Sequence, residues 1–431
     1  MGWNSWDCFG MDITEAQVKA TAEYMARNMK DAGWQYIVVD MGWYYGEGLT
    51  TKNFHKMKNP PQYLDAYGRL YPSKGKFPSA ADGKGLKSLA DYVHSLGLKF
   101  GIHIMRGIPW QAVEQNLPIK NTVYRAKELL NPDAPCWWYD GLRGLDMNKP
   151  GAREYYQSLI ELYAQWGVDY IKADDMEKPY AKQDIEALRE AIVASGRPIV
   201  LSLSAGPISV GVVEHLRANA NMWRISDDMW DDWFFIKRQF GLCRMWQDYA
   251  EPGHWPDCDM LPLGRLRING VDEVGILAKA IHQRPADLVN QLSLLSQDEQ
   301  RTLLSLWYIF RSPLMMGGNL LEYDQGLLQM LTNEEALAVD QRSTRNRELR
   351  ADNDEIIWTA VDRETDERYL ALFNINNETR RRVAVTWAEL GLDGPHTVRD
   401  LWAKADAGRF DSGFEVTLAP HSSGLYRIET R

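Results

Sequence analysis

Apolar runs and amphipathic stretches alternate along most of the chain, and that alternation predicts the fold. Candidate strands are the β-branched or apolar runs Tyr36–Asp40, Phe100–Met105, Tyr170–Asp174, Ile199–Ser204, Met222–Ser226 and Trp255–Leu261. Stretches with apolar residues at helical spacing stand among them: Thr14–Lys30, Gly85–Leu96, Ala152–Trp166, Ile185–Ala194 and Gln297–Phe310. Strands that alternate with helices imply a parallel sheet with crossover connections. Met1–Trp6 and Leu314–Met316 bring the strands to eight, which predicts an α/β fold of the (β/α)8 TIM-barrel type. A doubly wound open sheet is the alternative, and the lack of a GxGxxG turn counts against it. The segment Ile108–Pro150 is too long for a simple loop. It carries Trp110, Cys136, Trp137, Trp138 and Tyr139, and is expected to form a subdomain or lid.

After about Arg345 the pattern changes. Ile356–Ala360, Tyr369–Asn374, Val383–Trp387, Thr397–Leu401, Phe414–Leu418 and Gly424–Ile428 are short strands separated by turn residues, without helices. That pattern predicts a C-terminal antiparallel β-sandwich domain. The expected division is a catalytic barrel over 1–344, with an insertion at about 108–150, and a sandwich over 345–431. Trp358, Trp387 and Trp402 are expected to fill the sandwich core, with sugar binding as their alternative role.

Polar and acidic residues gather where the predicted strands stop: Asp40, His103, Asp174, Ser204, Asp228 and Asp257. In a barrel those ends share one face, and the active site sits there. Two carboxylates brought to that face are what glycosidic bond cleavage needs, one as nucleophile and one as acid/base. Asp174 follows Lys172 by two, so in a strand both side chains point to one side. A lysine beside a carboxylate keeps it ionised, as a nucleophile requires, although a structural ion pair fits the same motif. Asp175 should face the other way and cap a helix. Arg224, Asp227 and Asp228 form the second constellation. A general acid needs a raised pKa, which a neighbouring anion supplies. A surface cluster with Asp231 and Asp232 is the plainer reading.

Composition narrows the function classes. The chain has 431 residues, 45% hydrophobic and 25% charged, enough to bury a large core. Its net charge of −10 argues against nucleic acid, whose phosphates need a basic face. No run of about 18 apolar residues is present, so no membrane span is expected. The 17 Trp and 20 Tyr exceed what a core requires and suit stacking on sugar rings. Cys8, Cys136, Cys243 and Cys258 form no CxxC pair and read as isolated thiols in a reducing compartment. The eight His show no ligand spacing, so neither a metal nor a cofactor is expected. Met1 leads directly into Gly2-Trp3-Asn4-Ser5-Trp6, which makes a cytoplasmic protein the expectation, with secretion the alternative if a leader was removed.

The chain resembles glycoside hydrolase family 27, the α-galactosidase and α-N-acetylgalactosaminidase family. The resemblance runs in order through Gly2-Trp3-Asn4-Ser5-Trp6, Asp40 with Trp43, Gly167-Val168-Asp169-Tyr170-Ile171-Lys172-Ala173-Asp174 and Trp223-Arg224. It continues through Pro252-Gly253-His254-Trp255-Pro256-Asp257-Cys258-Asp259-Met260-Leu261 and Ser312-Pro313-Leu314. It implies a retaining exo-glycosidase with Asp174 as nucleophile and Asp228, rather than Asp227, as acid/base. Trp6, Asp40, Lys172, Arg224 and Asp259 match sugar-binding positions. Four departures bear on the sugar. Met41 replaces an aspartate that accepts sugar hydroxyls in many members, and His103 stands where a tyrosine is common. Met176 replaces a disulfide cysteine. Ser204 and Ala205 are small, as in members that accept a 2-acetamido group.

The expected function is therefore release of terminal α-galactosyl-type residues by double displacement, without a cofactor. The same chemistry on an α-N-acetylgalactosaminide or a β-L-arabinopyranoside is the first alternative. A non-catalytic carbohydrate-binding protein is the second, and a metal-dependent barrel hydrolase the third. The partner is a small-molecule or oligosaccharide substrate, not nucleic acid or membrane. The oligomeric state is left open, a homo-oligomer included.

Overall fold

The computed structural model describes residues 1–81, 83–271 and 282–429. Its contacts divide the chain into two compact units. The first comprises Met1–Asp228, Met260–Ser293 and Met315–Glu322; the second comprises Met229–Asp259, Leu294–Leu314 and Tyr323–Arg431.

The main sheet has eight strands: β1 (Gly2–Asn4), β2 (Tyr36–Val39), β3 (Lys99–Met105), β4 (Tyr170–Asp174), β5 (Val200–Leu203), β6 (Met222–Arg224), β7 (Trp255–Asp257) and β8 (Met315–Met316). Their order is β8-β1-β2-β3-β4-β5-β6-β7. Within the first unit every pairing of this sheet is parallel, with Gly2 opposite both Met315 and Tyr36, Ile37 opposite Phe100, His103 opposite Lys172, and Lys172 opposite Ser202. Leu261 forms a further parallel bridge with Met316, the contact that closes a barrel.

Strands of such a sheet are covered on both faces, so their sequences are apolar throughout rather than alternating. Ile37, Val38, Phe100, Ile102, Ile171, Ala173, Leu201 and Leu203 are all fully buried. Against that background a polar residue such as His103 or Lys172 has to find a specific partner. Between the strands run helices Glu15–Asn28, Lys87–Ser95, Ala152–Trp166, Lys182–Ser195 and Val213–Asn219. The first starts at a capping box between Thr14 and Gln17, and Ala152–Trp166 stops at Gly167 in the left-handed region, with φ 87°.

Five strands of the sheet stop earlier than the apolar pattern predicts, β1 at Asn4 and β2 at Val39 among them. β5 ends at Leu203, β6 at Arg224 and β7 at Asp257. At the last two, polar groups compete with the ladder: Arg224 Nη2 donates to Ser226 O at 3.2 Å, and Asp257 Oδ1 accepts from Asp259 N at 2.9 Å. Helices Val213–Asn219 and Trp233–Trp246 were not evident from periodicity. The insertion is pinned at its base by pairing of Ile108–Pro109 with Leu142–Arg143. Inside it are the short helical turns Trp110–Glu114 and Ala126–Leu129, and the rest of the segment is irregular.

In the second unit the C-terminal strands are β9 (Ser343–Asp352), β10 (Glu355–Asp362), β11 (Arg368–Asn374), β12 (Arg381–Thr386), β13 (His396–Asp400), β14 (Ala405–Phe410), β15 (Gly413–Leu418) and β16 (Ser423–Ile428). They form an antiparallel sheet β9-β10-β11-β16-β13-β14 and a pair β12-β15. Ile357, Leu370, Leu372, Val383, Val385, Trp387 and Val398 make the core between the two. Trp358 faces the other way, onto Phe310 of helix Gln297–Phe310, with ring centroids 6.1 Å apart. Trp402 stacks on Tyr308 and donates to Ser305 Oγ at 3.0 Å. Trp358 and Trp387 are buried and Trp402 is half-buried, so all three serve packing.

Two thiols read as isolated are neighbours. Cys243 lies in helix Trp233–Trp246 and Cys258 follows β7, and their Sγ atoms are 3.5 Å apart and buried.

Candidate active site

The ends of β1 to β4 assemble a buried polar group. Lys172 points from β4 in register with His103 of β3, and its Nζ donates to Asp40 Oδ2 at 2.9 Å. Asn4 Nδ2 donates to the same oxygen at 2.7 Å, and Met41 N to Asp40 Oδ1 at 2.7 Å. Burial alone would raise the Asp40 pKa. The charges of Lys172 and His103 and these hydrogen bonds override it and hold the carboxyl at about 2. Asp40 is therefore a fixed anion whose donors come from β1, β4 and the turn after β2.

Asp174, the last residue of β4, is 9% exposed. Its Oδ2 lies 3.1 Å from His103 Nε2, and its Oδ1 accepts from Asp175 N at 2.7 Å. Burial pushes its pKa up. The His103 hydrogen bond and charge, then the Lys172 charge and the Asp175 N–H, pull it below the ordinary carboxylate value. Lys172 thus acts on Asp174 through its charge while bonded to Asp40. The result is an ionised carboxylate aimed from a strand end, the state a nucleophile needs. His103 is itself fixed by Trp43, whose Nε1 donates to His103 O at 2.8 Å.

Next to Asp40 in the chain, Met41 is buried. Trp6 is half-buried, its ring edge-on to Phe54 at 5.6 Å, and Asn4 Oδ1 accepts from Trp6 N at 2.9 Å. Ser204 is buried just past β5, its N donating to Ala173 O at 2.9 Å, with half-buried Ala205 after it.

The end of β6 differs. Arg224 is buried, its N donates to Glu177 Oε1 at 3.1 Å, and its Nη2 lies 3.4 Å from Asp228 Oδ1. The Asp228 side chain is 62% exposed. A cation thus approaches it, where the sequence led to the expectation of an anion. Asp227 pairs with Lys178 Nζ at 2.6 Å. The acidic neighbours further on have structural work within the second unit: Asp232 caps helix Trp233–Trp246 through Phe234 N, and Asp231 Oδ2 accepts from Leu294 N at 2.9 Å. Asp259, also in that unit, adopts φ +86° and accepts from Met229 N at 2.7 Å.

Asn4, Arg106 and Glu177 escaped sequence reasoning, although each is buried and polar at a strand end. Asp175 caps no helix, since Lys182–Ser195 begins after Ala181; it pairs instead with Arg106 at 2.7 Å. Among the described residues no group of three or more His, Cys, Asp or Glu is placed to hold a metal ion, and no helix is long and apolar enough to cross a membrane.

The chain is similar to known proteins along its length. A family model described as alpha galactosidase A matches residues 143–292, and one for the alpha galactosidase C-terminal beta sandwich domain matches 352–428. The structure of a β-L-arabinopyranosidase from Geobacillus stearothermophilus, assigned to glycoside hydrolase family 27 and solved with arabinose, is 44% identical. It is covered to 97%, covers this whole chain, and superposes with a TM-score of 0.93. A protein from Bacillus halodurans C-125 described as a putative alpha-N-acetylgalactosaminidase is 39% identical, with coverage of 100% of this chain and 97% of that one, and a TM-score of 0.85. The alpha-galactosidase of Cyamopsis tetragonoloba is 26% identical over 438 residues, 100% of this chain and 86% of its own length.

Proposed function

The chain belongs to glycoside hydrolase family 27, and on that premise we propose that it is a retaining exo-glycosidase specialised for β-L-arabinopyranosides. It is a glycosidase of the α-galactosidase type, and its substrate is a carbohydrate. In the proposed reaction Asp174 attacks the anomeric carbon while Asp228 protonates the leaving oxygen. Asp228 then takes a proton from the water that releases the sugar. Asp40, Lys172, His103, Arg224, Trp6 and Asp259 are the proposed sugar-binding groups. We assign the chemistry to residues 1–344, with the insertion at about 108–150, and support to the sandwich over 345–431.

The observation that carries the sugar preference is Met41. It is buried beside Asp40, at a position where a second aspartate would accept a sugar hydroxyl. A hydroxyl buried there without a partner costs about 1–3 kcal/mol. β-L-Arabinopyranose keeps the galactose ring but lacks the exocyclic hydroxymethyl group, so a sugar with one hydroxyl fewer suits a site with one acceptor fewer. The 44% identical arabinopyranosidase supports this reading. Ser204 and Ala205 favour a second one, an α-N-acetylgalactosaminide, because small side chains there leave room for an acetamido group. The test compares kcat/KM on nitrophenyl β-L-arabinopyranoside, α-galactoside and α-N-acetylgalactosaminide. The arabinoside is expected to lead the galactoside by about 10–200-fold, the range one small substituent commands. A lead for the acetamido sugar would transfer the assignment to the second reading.

A further inference from the structure

Arg106 follows β3 directly, and its backbone N donates to Asp174 O at 3.0 Å. Its buried guanidinium turns toward the residue after Asp174: Nε donates to Asp175 O at 2.9 Å and to Asp175 Oδ2 at 3.0 Å, and Nη2 donates to Oδ2 at 2.7 Å. The same guanidinium reaches the insertion, donating from Nη1 and Nη2 to Ala134 O at 3.3 Å and from Nη2 to Pro135 O at 3.4 Å. One buried cation therefore holds two backbone segments.

Asp175 occupies the left-handed region with φ +63°, where residues other than glycine seldom sit. In that conformation its N–H points at Asp174 Oδ1, 2.7 Å away. An ion pair that served packing alone would need only the carboxylate. Arg106 also binds the main-chain oxygen of Asp175, which fixes that residue's backbone as well as its side chain. The nearby Asp184 carboxylate is engaged elsewhere: Tyr156 Oη donates to its Oδ1 at 2.7 Å and accepts from Gly107 N at 3.0 Å.

We propose that Arg106 is a positioning residue for the glycosidase reaction: it locks Asp175 in the left-handed turn that aims a backbone N–H at the nucleophile. Through Ala134 and Pro135 it also couples the seating of the insertion to that alignment. The inference rests on the assignment of Asp174 as nucleophile.

Titratable or charged groups facing Asp175 are Arg106, Asp174 and the Cys136 thiol, with Asp184 and Tyr156 beside Arg106. In Arg106→Gln, kcat should fall by about 10²-fold, the effect of an ångström-scale misplacement, with KM nearly unchanged. The acid limb of kcat/KM should move to higher pH, because Asp174 loses a hydrogen bond that favours its ionised form. Arg106→Lys should recover part of both effects. Asp175→Asn keeps an acceptor and tolerates the left-handed turn, so it should lose the least. Asp175→Ala should fall toward Arg106→Gln. A folded Arg106→Gln protein with wild-type kcat and an unmoved acid limb would overturn the inference. If that variant does not fold, equal kcat in Asp175→Asn and Asp175→Ala would overturn it. Failure of the nucleophile assignment looks different: Asp174→Gly would then retain activity, whatever Arg106 does.

Discussion

The two carboxylates proposed for the reaction sit in opposite surroundings. The Asp174 side chain is 12% exposed and held at both oxygens, by His103 and by the Asp175 N–H. Asp228 is 62% exposed, and Arg224 approaches one of its oxygens at 3.4 Å. The contrast matches the two proposed roles. A nucleophile has one protonation state to keep and one line of attack, so fixed partners help it at every step. An acid/base gives up a proton and takes another in each cycle, and exposure to solvent leaves that exchange unobstructed.

Removing the fixed partner should have the largest effect. Asp174→Ala is expected to lower kcat by about 10⁴-fold or more, since no covalent intermediate can form. Asp228→Ala should cost about 10²–10⁴-fold on alkyl glycosides and clearly less on nitrophenyl glycosides, whose leaving groups need little protonation. Equal losses on the two substrate types would contradict its role. His103→Ala should be milder, about 10–10²-fold in kcat, with the acid limb of kcat/KM shifted to higher pH as Asp174 loses the bond and charge that lower its pKa. An unshifted limb would mean that His103 does not hold the nucleophile ionised.

A further prediction concerns stability. Burial, opposed by Arg106, raises Asp175 to about 6. A raised folded-state pKa means that its contribution is fully present below the unfolded value of about 3.9 and is lost as pH rises through about 6. Relative to Asp175→Asn, the wild type should therefore lose on the order of 2–3 kcal/mol between about pH 4 and pH 6. Denaturant melts of both proteins across that window check it, and parallel curves would refute it.

The barrel was legible because buried parallel strands write their sequences as apolar runs, and the polar residues at the ends of those runs marked the site. Asp174 and Lys172 were found together because two residues apart on a strand means one face. The bond from Lys172 to Asp40 was not legible, since it joins residues 132 positions apart through strand order and register. Likewise Arg106 is unremarkable in sequence until β3 and β4 pair and set it beside Asp175. Cys243 and Cys258 looked isolated because a helix and a strand end, rather than a short motif, bring them to 3.5 Å. Backbone conformation was equally hidden: the left-handed turn at Asp175 and the early stop of β6 depend on side-chain bonds made only after folding.

The most direct test of the central claim is to trap the covalent intermediate. A 2-deoxy-2-fluoro sugar with a good leaving group slows hydrolysis of the glycosyl-enzyme, and peptide mass spectrometry then locates the added mass. The account predicts one sugar per chain, carried on Asp174. A label on Asp228 or Asp227, or rapid turnover with no label and an inverted product, would contradict it.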